Sequence, residues 1–208
     1  SSSLAEPERP DAPAAEVATF SYPEAERVDH VDAYHGVEVA DPYRWLENID
    51  GEQTRAWVEA ENAVTFGYLE TIEERDVLRK RLEALWDYER WGLPTRRGDT
   101  YFVSRNDGLQ NQSVLYTMKS LDDTPAPLLD PNTLSADGTV ALSGTWPSRD
   151  GKYLAYGVSD AGSDWQTWRV RDVATGKDTA DELHSIKFAY AAWTPDGEGF
   201  YYARYPEA

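Results

Sequence analysis

Cysteine is absent from the 208-residue chain, so neither disulfides nor thiolate metal sites contribute, and thiol chemistry says nothing about compartment. No run approaches the roughly 18 apolar residues that a membrane-crossing helix needs. The Ser-, Pro-, Glu- and Ala-rich opening, residues 1–20, lacks the basic start and apolar stretch of a signal peptide and reads as a flexible arm or a cloning remnant. Membrane association is not expected, and cytoplasm and periplasm both stay open. Positive charge is scarce: 20 Lys and Arg stand against 38 Asp and Glu, a net charge of −18. Such a surface repels phosphate backbones, so nucleic acid is not an expected partner. No Gly-x-Ser-x-Gly nucleophile elbow occurs, and only His30, His35 and His184 could serve as an imidazole base.

What is present is a globular composition, 40% hydrophobic and 12% aromatic. Residues 22–47 carry Pro23, Gly36 and Pro42 among short apolar alternations, as expected of an extended segment laid across another surface. Helical period follows over residues 51–72, where Trp57, Ala60, Val64, Tyr68 and Ile72 recur three or four apart. A second helix is predicted over 73–86. Its apolar face is Val77, Leu78, Leu82, Leu85 and Trp86, and Glu73, Glu74 and Asp76 oppose the positive end of its dipole.

At Trp91-Gly92-Leu93-Pro94 the period changes from 3.6 to 2, which marks a domain boundary. Three segments beyond it repeat one design, a polar turn with Gly98, Gly151 or Gly197 followed by an aromatic-rich strand. The turn glycines are 53 and then 46 residues apart, and the later two copies share a Trp, a Ser or Thr, and Asp-Gly, from Trp146 and Trp193. That spacing fits blades of a β-propeller. From residue 93 the chain holds about two blades and the first strand of a third, whereas propellers close with about four to eight. The expected fold is therefore mixed: helices, then an incomplete propeller.

The string His35-Gly36-Val37-Glu38-Val39-Ala40-Asp41-Pro42-Tyr43-Arg44-Trp45-Leu46-Glu47 resembles the N-terminal signature of the prolyl oligopeptidase family. The likeness continues through Leu128-Leu129-Asp130-Pro131-Asn132, Asp137-Gly138-Thr139-Val140-Ala141-Leu142, Gly162-Ser163-Asp164-Trp165 and Lys187-Phe188, to Ala192-Trp193-Thr194-Pro195-Asp196-Gly197. It implies an α/β-hydrolase domain, absent from this chain, capped by a seven-bladed propeller. Residues 21–92 would belong with the peptidase domain and residues 93–208 with the propeller.

The activity implied is serine endopeptidase cleavage of short peptides after proline, through an acyl-enzyme formed by a Ser-Asp-His triad. None of the triad can be assigned here, so the 208-residue chain alone is expected to be inactive and to supply packing and a propeller gate. The implied partners are short proline-containing peptides and the remainder of the same protein, with no cofactor and no metal. Phe188 matches a propeller aromatic lining the outer substrate pocket, and a blade-core role is its other reading. Asp164 matches an acidic residue at the domain interface, and a turn residue is its other reading. Ser143 stands where the family often has an arginine, which puts one propeller-side contact in doubt.

Other patterns yield to simpler readings. Arg97-Gly98-Asp99 spells the integrin-binding tripeptide but falls where the repeat demands a hairpin turn. Asn111-Gln112-Ser113 matches the glycosylation acceptor, a frequent chance match. Asp29, His30, Asp32, His35 and Glu38 offer metal-ligand chemistry, but their spacing matches neither His-Glu-x-x-His nor an EF-hand loop, so a structural role is expected. Two alternative functions stand beside the peptidase: a non-catalytic propeller-type binding module, and an oligopeptidase of the same fold preferring basic residues.

Overall fold

The computed structural model describes residues 19–206; the arm expected over residues 1–20 lies outside the described residues except for its last two. The chain divides into two compact units between Arg79 and Lys80.

In the first unit, β1 (Val31–Tyr34) and β2 (Val37–Ala40) pair antiparallel around the two-residue turn His35-Gly36. Both turn residues have positive φ, 51° and 84°, the backbone that matches strand twist in tight hairpins. The segment expected to be merely extended thus folds back on itself, because each arm of the hairpin has its own short apolar alternation. A 3-10 turn at Arg44–Glu47 follows, and Arg44 joins its neighbours by pairing with Asp32, Asp41 and Glu47.

Helix α1 (Glu52–Glu70) docks its N-terminal turns on that 3-10 turn. Buried Thr54 donates to the Trp45 carbonyl at 3.1 Å, and the Trp45 and Trp57 rings meet edge to face. The apolar stripe read from the sequence is only partly covered: Trp57, Val64 and Ile72 are half-buried, whereas Ala60 and Tyr68 are exposed and Glu61 is half-buried. A helix sheds water only where other chain lies, and among the described residues that is the 3-10 turn at its N-terminal turns and Phe20, whose ring meets Tyr68 edge to face near the other end. In α2 (Glu74–Trp86) the predicted face of Val77, Leu78, Leu82, Leu85 and Trp86 is more than half exposed at every position.

The second unit is built from antiparallel blades. In the first blade the order is β3-β5-β6-β7, with β3 (Arg90–Trp91), β5 (Thr100–Asn106), β6 (Val114–Met118) and β7 (Ala126–Leu129), and β4 (Thr95–Arg97) also pairs with β5. The second blade is a meander of β8 (Ala141–Pro147), β9 (Tyr153–Ser159), β10 (Gln166–Asp172) and β11 (Lys177–Ile186). A further pair, β12 (Ala192–Trp193) and β13 (Phe200–Tyr201), opens a third.

Strand period explains the two cores. On β9, Leu154 and Tyr156 point to one side and join Phe102, Leu115, Leu128 and Leu129 of the first blade. Ala155, between them, faces the other side with Trp168, Ile186 and Ala191, against which Trp146, Trp193, Phe200 and Tyr202 pack. The repeated tryptophans are the joint between blades: Trp193 Nε1 donates to the Trp146 carbonyl at 2.7 Å, while Trp146 stacks on Trp168 with centroids 4.3 Å apart.

The repeated turns have a chemical reason as well. Ser148 Oγ donates to Asp150 at 2.7 Å, the same carboxylate accepts the Lys152 N–H at 3.1 Å, and Thr194, Asp196 and Glu198 repeat the arrangement. These hydrogen bonds, led by the hydroxyl of Ser148 or Thr194, hold both carboxyls below their ordinary range. Gly98 and Gly151 let successive turns interlock. A Cβ on Gly98 would lie 2.2 Å from the Asp150 carbonyl oxygen, and one on Gly151 would lie 2.5 Å from that of Arg97. Arg97-Gly98-Asp99 is accordingly a hairpin turn, with Arg97 paired to Thr100.

Candidate functional site

Antiparallel pairing sorts the second blade into two ends. Asp150, Gly151 and Lys152 lie at the end where Pro147 faces Leu154; Ala141, Ser159 and Gln166 mark the opposite end, where Ala141 and Gln166 both pair with Ser159. Ile186 pairs with Gln166, so the chain leaving β11 emerges at that same opposite end. Ser143, Asp164 and Phe188, distant in sequence, are therefore brought to one end of one sheet.

Phe188 is 76% exposed and belongs to neither core cluster. Its φ is 53°, the left-handed region that a bulky side chain rarely adopts and that persists only where surrounding structure holds it. The preceding residue supplies part of that hold. The Lys187 ammonium lies 5.2 Å from the centroid of the Phe188 ring and 5.2 Å from that of Trp165, within cation–π range of both. It also sits 3.4 Å from the Asp164 carboxylate.

The Asp164 carboxylate thus faces Lys187, while the bonds that shape its turn come from neighbours: Ser163 N–H to the Asp160 carbonyl, and Trp165 N–H to Ser163 Oγ. Lys187 joins the two residues singled out in the sequence, and neither it nor Trp165 is marked there as a site residue. The available signal was adjacency, since Lys187 precedes Phe188 and Trp165 follows Asp164. Only the fold closes the gap between the two pairs.

Beside this cluster a groove of about 610 Å³ runs along the blade end. Trp165 forms one wall, Val140 and Val158 supply apolar surface, and Ser163, Gln166, Thr167 and His184 bring polar groups. His184 lies 3.4 Å from Thr167 Oγ1 and 3.3 Å from a Glu182 carboxylate oxygen. Ser143 is exposed at the irregular step in β8 between Leu142 and Gly144.

Of the metal-ligand types near the N-terminus, His30 and Asp32 are otherwise engaged. His30 Nε2 is 3.2 Å from Asp32, and Asp32 pairs with Arg44, so a cation already occupies its second oxygen. No helix among the described residues is long and apolar enough to cross a membrane.

Successive antiparallel sheets of blade size, joined by apolar and aromatic cores and interlocked turns, are the build of a β-propeller. Residues 23–208 match the family model described as prolyl oligopeptidase, N-terminal β-propeller domain, and the chain belongs to the prolyl oligopeptidase family. It is 42% identical over 186 residues to a prolyl endopeptidase of Elizabethkingia meningoseptica, covering 89% of this chain and 26% of that protein. It is 38% identical over 213 residues to prolyl oligopeptidase A of Galerina marginata, covering 90% and 29%.

Solved structures agree. One, from a structural and mechanistic study of two prolyl endopeptidases, superposes with a TM-score of 0.79 at 35% identity, covering 90% of this chain and 28% of that one. Another, prolyl oligopeptidase B from Galerina marginata bound to a 35mer hydrolysis and macrocyclization substrate, gives 0.73 at 33% identity, covering 93% and 30%. The chain spans about a quarter of the length of the curated relatives it matches. Helices followed by the first blades of this family's propeller, as the sequence implied, is the fold it has.

Proposed function

We propose that this chain is the N-terminal part of a serine endopeptidase that cleaves short peptides on the C-terminal side of proline, in the cytoplasm or periplasm. Residues 21–92 pack with the α/β-hydrolase domain and residues 93–208 form the start of the gating propeller. Partners are short proline-containing peptides and the remainder of the same protein. The nucleophile, acid and base lie outside this chain, and the 208-residue chain alone is inactive.

The observation that carries this reading is Phe188. A large ring held in the open on strained backbone, backed by a cation, is a binding surface rather than core packing. Its neighbour Asp164 supplies the interface carboxylate. Family membership supports the chemistry, and relatives solved with peptide substrates support the partner class.

Active-site labelling tests the proposal. A fluorophosphonate probe is expected to label the full-length protein once and to leave the 208-residue chain unlabelled, with the full-length protein hydrolysing a proline reporter in preference to an arginine one. A labelled 208-residue chain, or a preference for the arginine reporter, overturns it.

A further inference from the structure

Trp165 is half exposed yet firmly held. Its backbone N–H donates to Ser163 Oγ at 3.1 Å, Tyr205 meets its ring edge-on at 5.5 Å, and the Lys187 ammonium lies over it. An indole fixed in the open is a stacking platform that loses little conformational freedom when a ligand lands on it. Two features tell what would land there. The same ammonium lies 5.2 Å from the centroid of the Phe188 ring, so one cation stands between the two rings. Trp165 is also a wall of the 610 Å³ groove, a volume within the range of small-ligand sites, whose polar rim offers hydroxyl, amide and imidazole partners to a peptide backbone.

We propose that Trp165 and this groove form a further substrate subsite, which takes the residues of a peptide upstream of the one packed on Phe188 and favours an apolar or aromatic side chain on the Trp165 ring. Lys187 is the positioning residue that holds the two rings in register, with Asp164 balancing its charge. The subsite rests on the oligopeptidase reading and adds a length dependence to it: a peptide that reaches past Phe188 gains a second contact. Glycine at that upstream position gains little, because it brings no side chain to the ring.

The test uses the full-length protein and proline-containing peptides that stop at the residue expected on Phe188, or extend two residues further with either phenylalanine or glycine placed to reach Trp165. Extension with phenylalanine is expected to raise kcat/KM about three- to tenfold over the short peptide, the effect of one aromatic contact. Trp165→Ala reduces that ratio to near one, and Trp165→Phe retains most of it. His184→Trp, which fills the groove and leaves the platform in place, also removes the gain and keeps the question answerable if Trp165→Ala is poorly folded. Leu121→Ala, an exposed change on the hairpin loop of the first blade, leaves the ratio unaltered. Cleavage after proline with no gain on extension, or a gain that survives both Trp165→Ala and His184→Trp, overturns the subsite alone. Failure of the wild-type protein to cleave any of the peptides overturns the oligopeptidase reading and the subsite with it.

Discussion

Arg171 on β10 donates Nη1 to the backbone carbonyl of Leu128 in the preceding blade at 2.8 Å, a bond between residues 43 positions apart. The rest of its guanidinium forks onto Asp178, at 2.8 and 3.1 Å, and lies over the ring of Tyr156, whose hydroxyl also donates to Asp178. One side chain, 15% exposed, thus ties two blades across the core that holds Leu128 and Tyr156. Propeller blades share no backbone ladder with one another, so such cross-blade bonds and the packed core are what resist their separation.

Removing the link should be costly. Arg171→Met is expected to destabilise the protein by about 3 kcal/mol, because it strands the partly buried Asp178 carboxylate and an inter-blade carbonyl. Arg171→Lys recovers only part of this, since an ammonium cannot make the fork and reach Leu128 together. Urea unfolding followed by tryptophan fluorescence measures both; equal stability of the Met variant and wild type counts against the account.

The same network sets a pH dependence. Burial pushes the Asp178 carboxyl up, but hydrogen bonds from Arg171 and Tyr156 together pull harder, leaving its pKa below the ordinary value. A folded-state pKa below the unfolded one means stability present above the unfolded value, about 3.9, and lost as pH falls through the folded one. The stability difference between wild type and Asp178→Asn should therefore be constant near neutrality and shrink below about pH 4. Melting temperatures of the two proteins across that range decide it, and a difference that widens in acid contradicts the assignment.

Glycines of one backbone type should differ in consequence. Gly98, Gly151 and Gly176 all have positive φ, but a Cβ at Gly176 meets nothing within 4 Å, whereas at Gly98 and Gly151 it strikes backbone oxygen of the neighbouring turn. Gly176→Ala is expected to cost about 1 kcal/mol from backbone strain alone. Gly98→Ala and Gly151→Ala should cost at least about 3 kcal/mol, with strain and collision combined. Chemical denaturation of the three variants ranks them.

Phe188 should separate stability from function. Because its ring is exposed and its φ is positive, Phe188→Gly relieves strain without opening a core cavity and is expected to raise stability by about 1 kcal/mol. On the proposed peptidase reading, the same change in the full-length protein should lower kcat/KM for proline peptides about tenfold, chiefly through KM, as one lost aromatic contact would. Calorimetry and steady-state kinetics on one preparation give both readings, and a variant that is less stable and fully active refutes them.

Much of this could be read along the chain because its causes are local. The change from a 3.6 to a 2 period before β4, the glycines of the blade turns, and the Ser148-to-Asp150 and Thr194-to-Asp196 bonds all depend on residues within a few positions of one another. Residue order therefore determined the helices, the strands and the blade repeat, and its string from His35 to Glu47 determined the family. What only the tertiary structure decided was which side chains meet. Ala60 and Tyr68 are exposed because no helix or strand among the described residues covers them, Arg171 finds Leu128 because two blades stack, and Lys187 bridges Asp164 to Phe188 because antiparallel pairing returns both loops to one end. Contacts of that kind follow from how sheets pack, and packing is set by surfaces that sequence neighbours do not share.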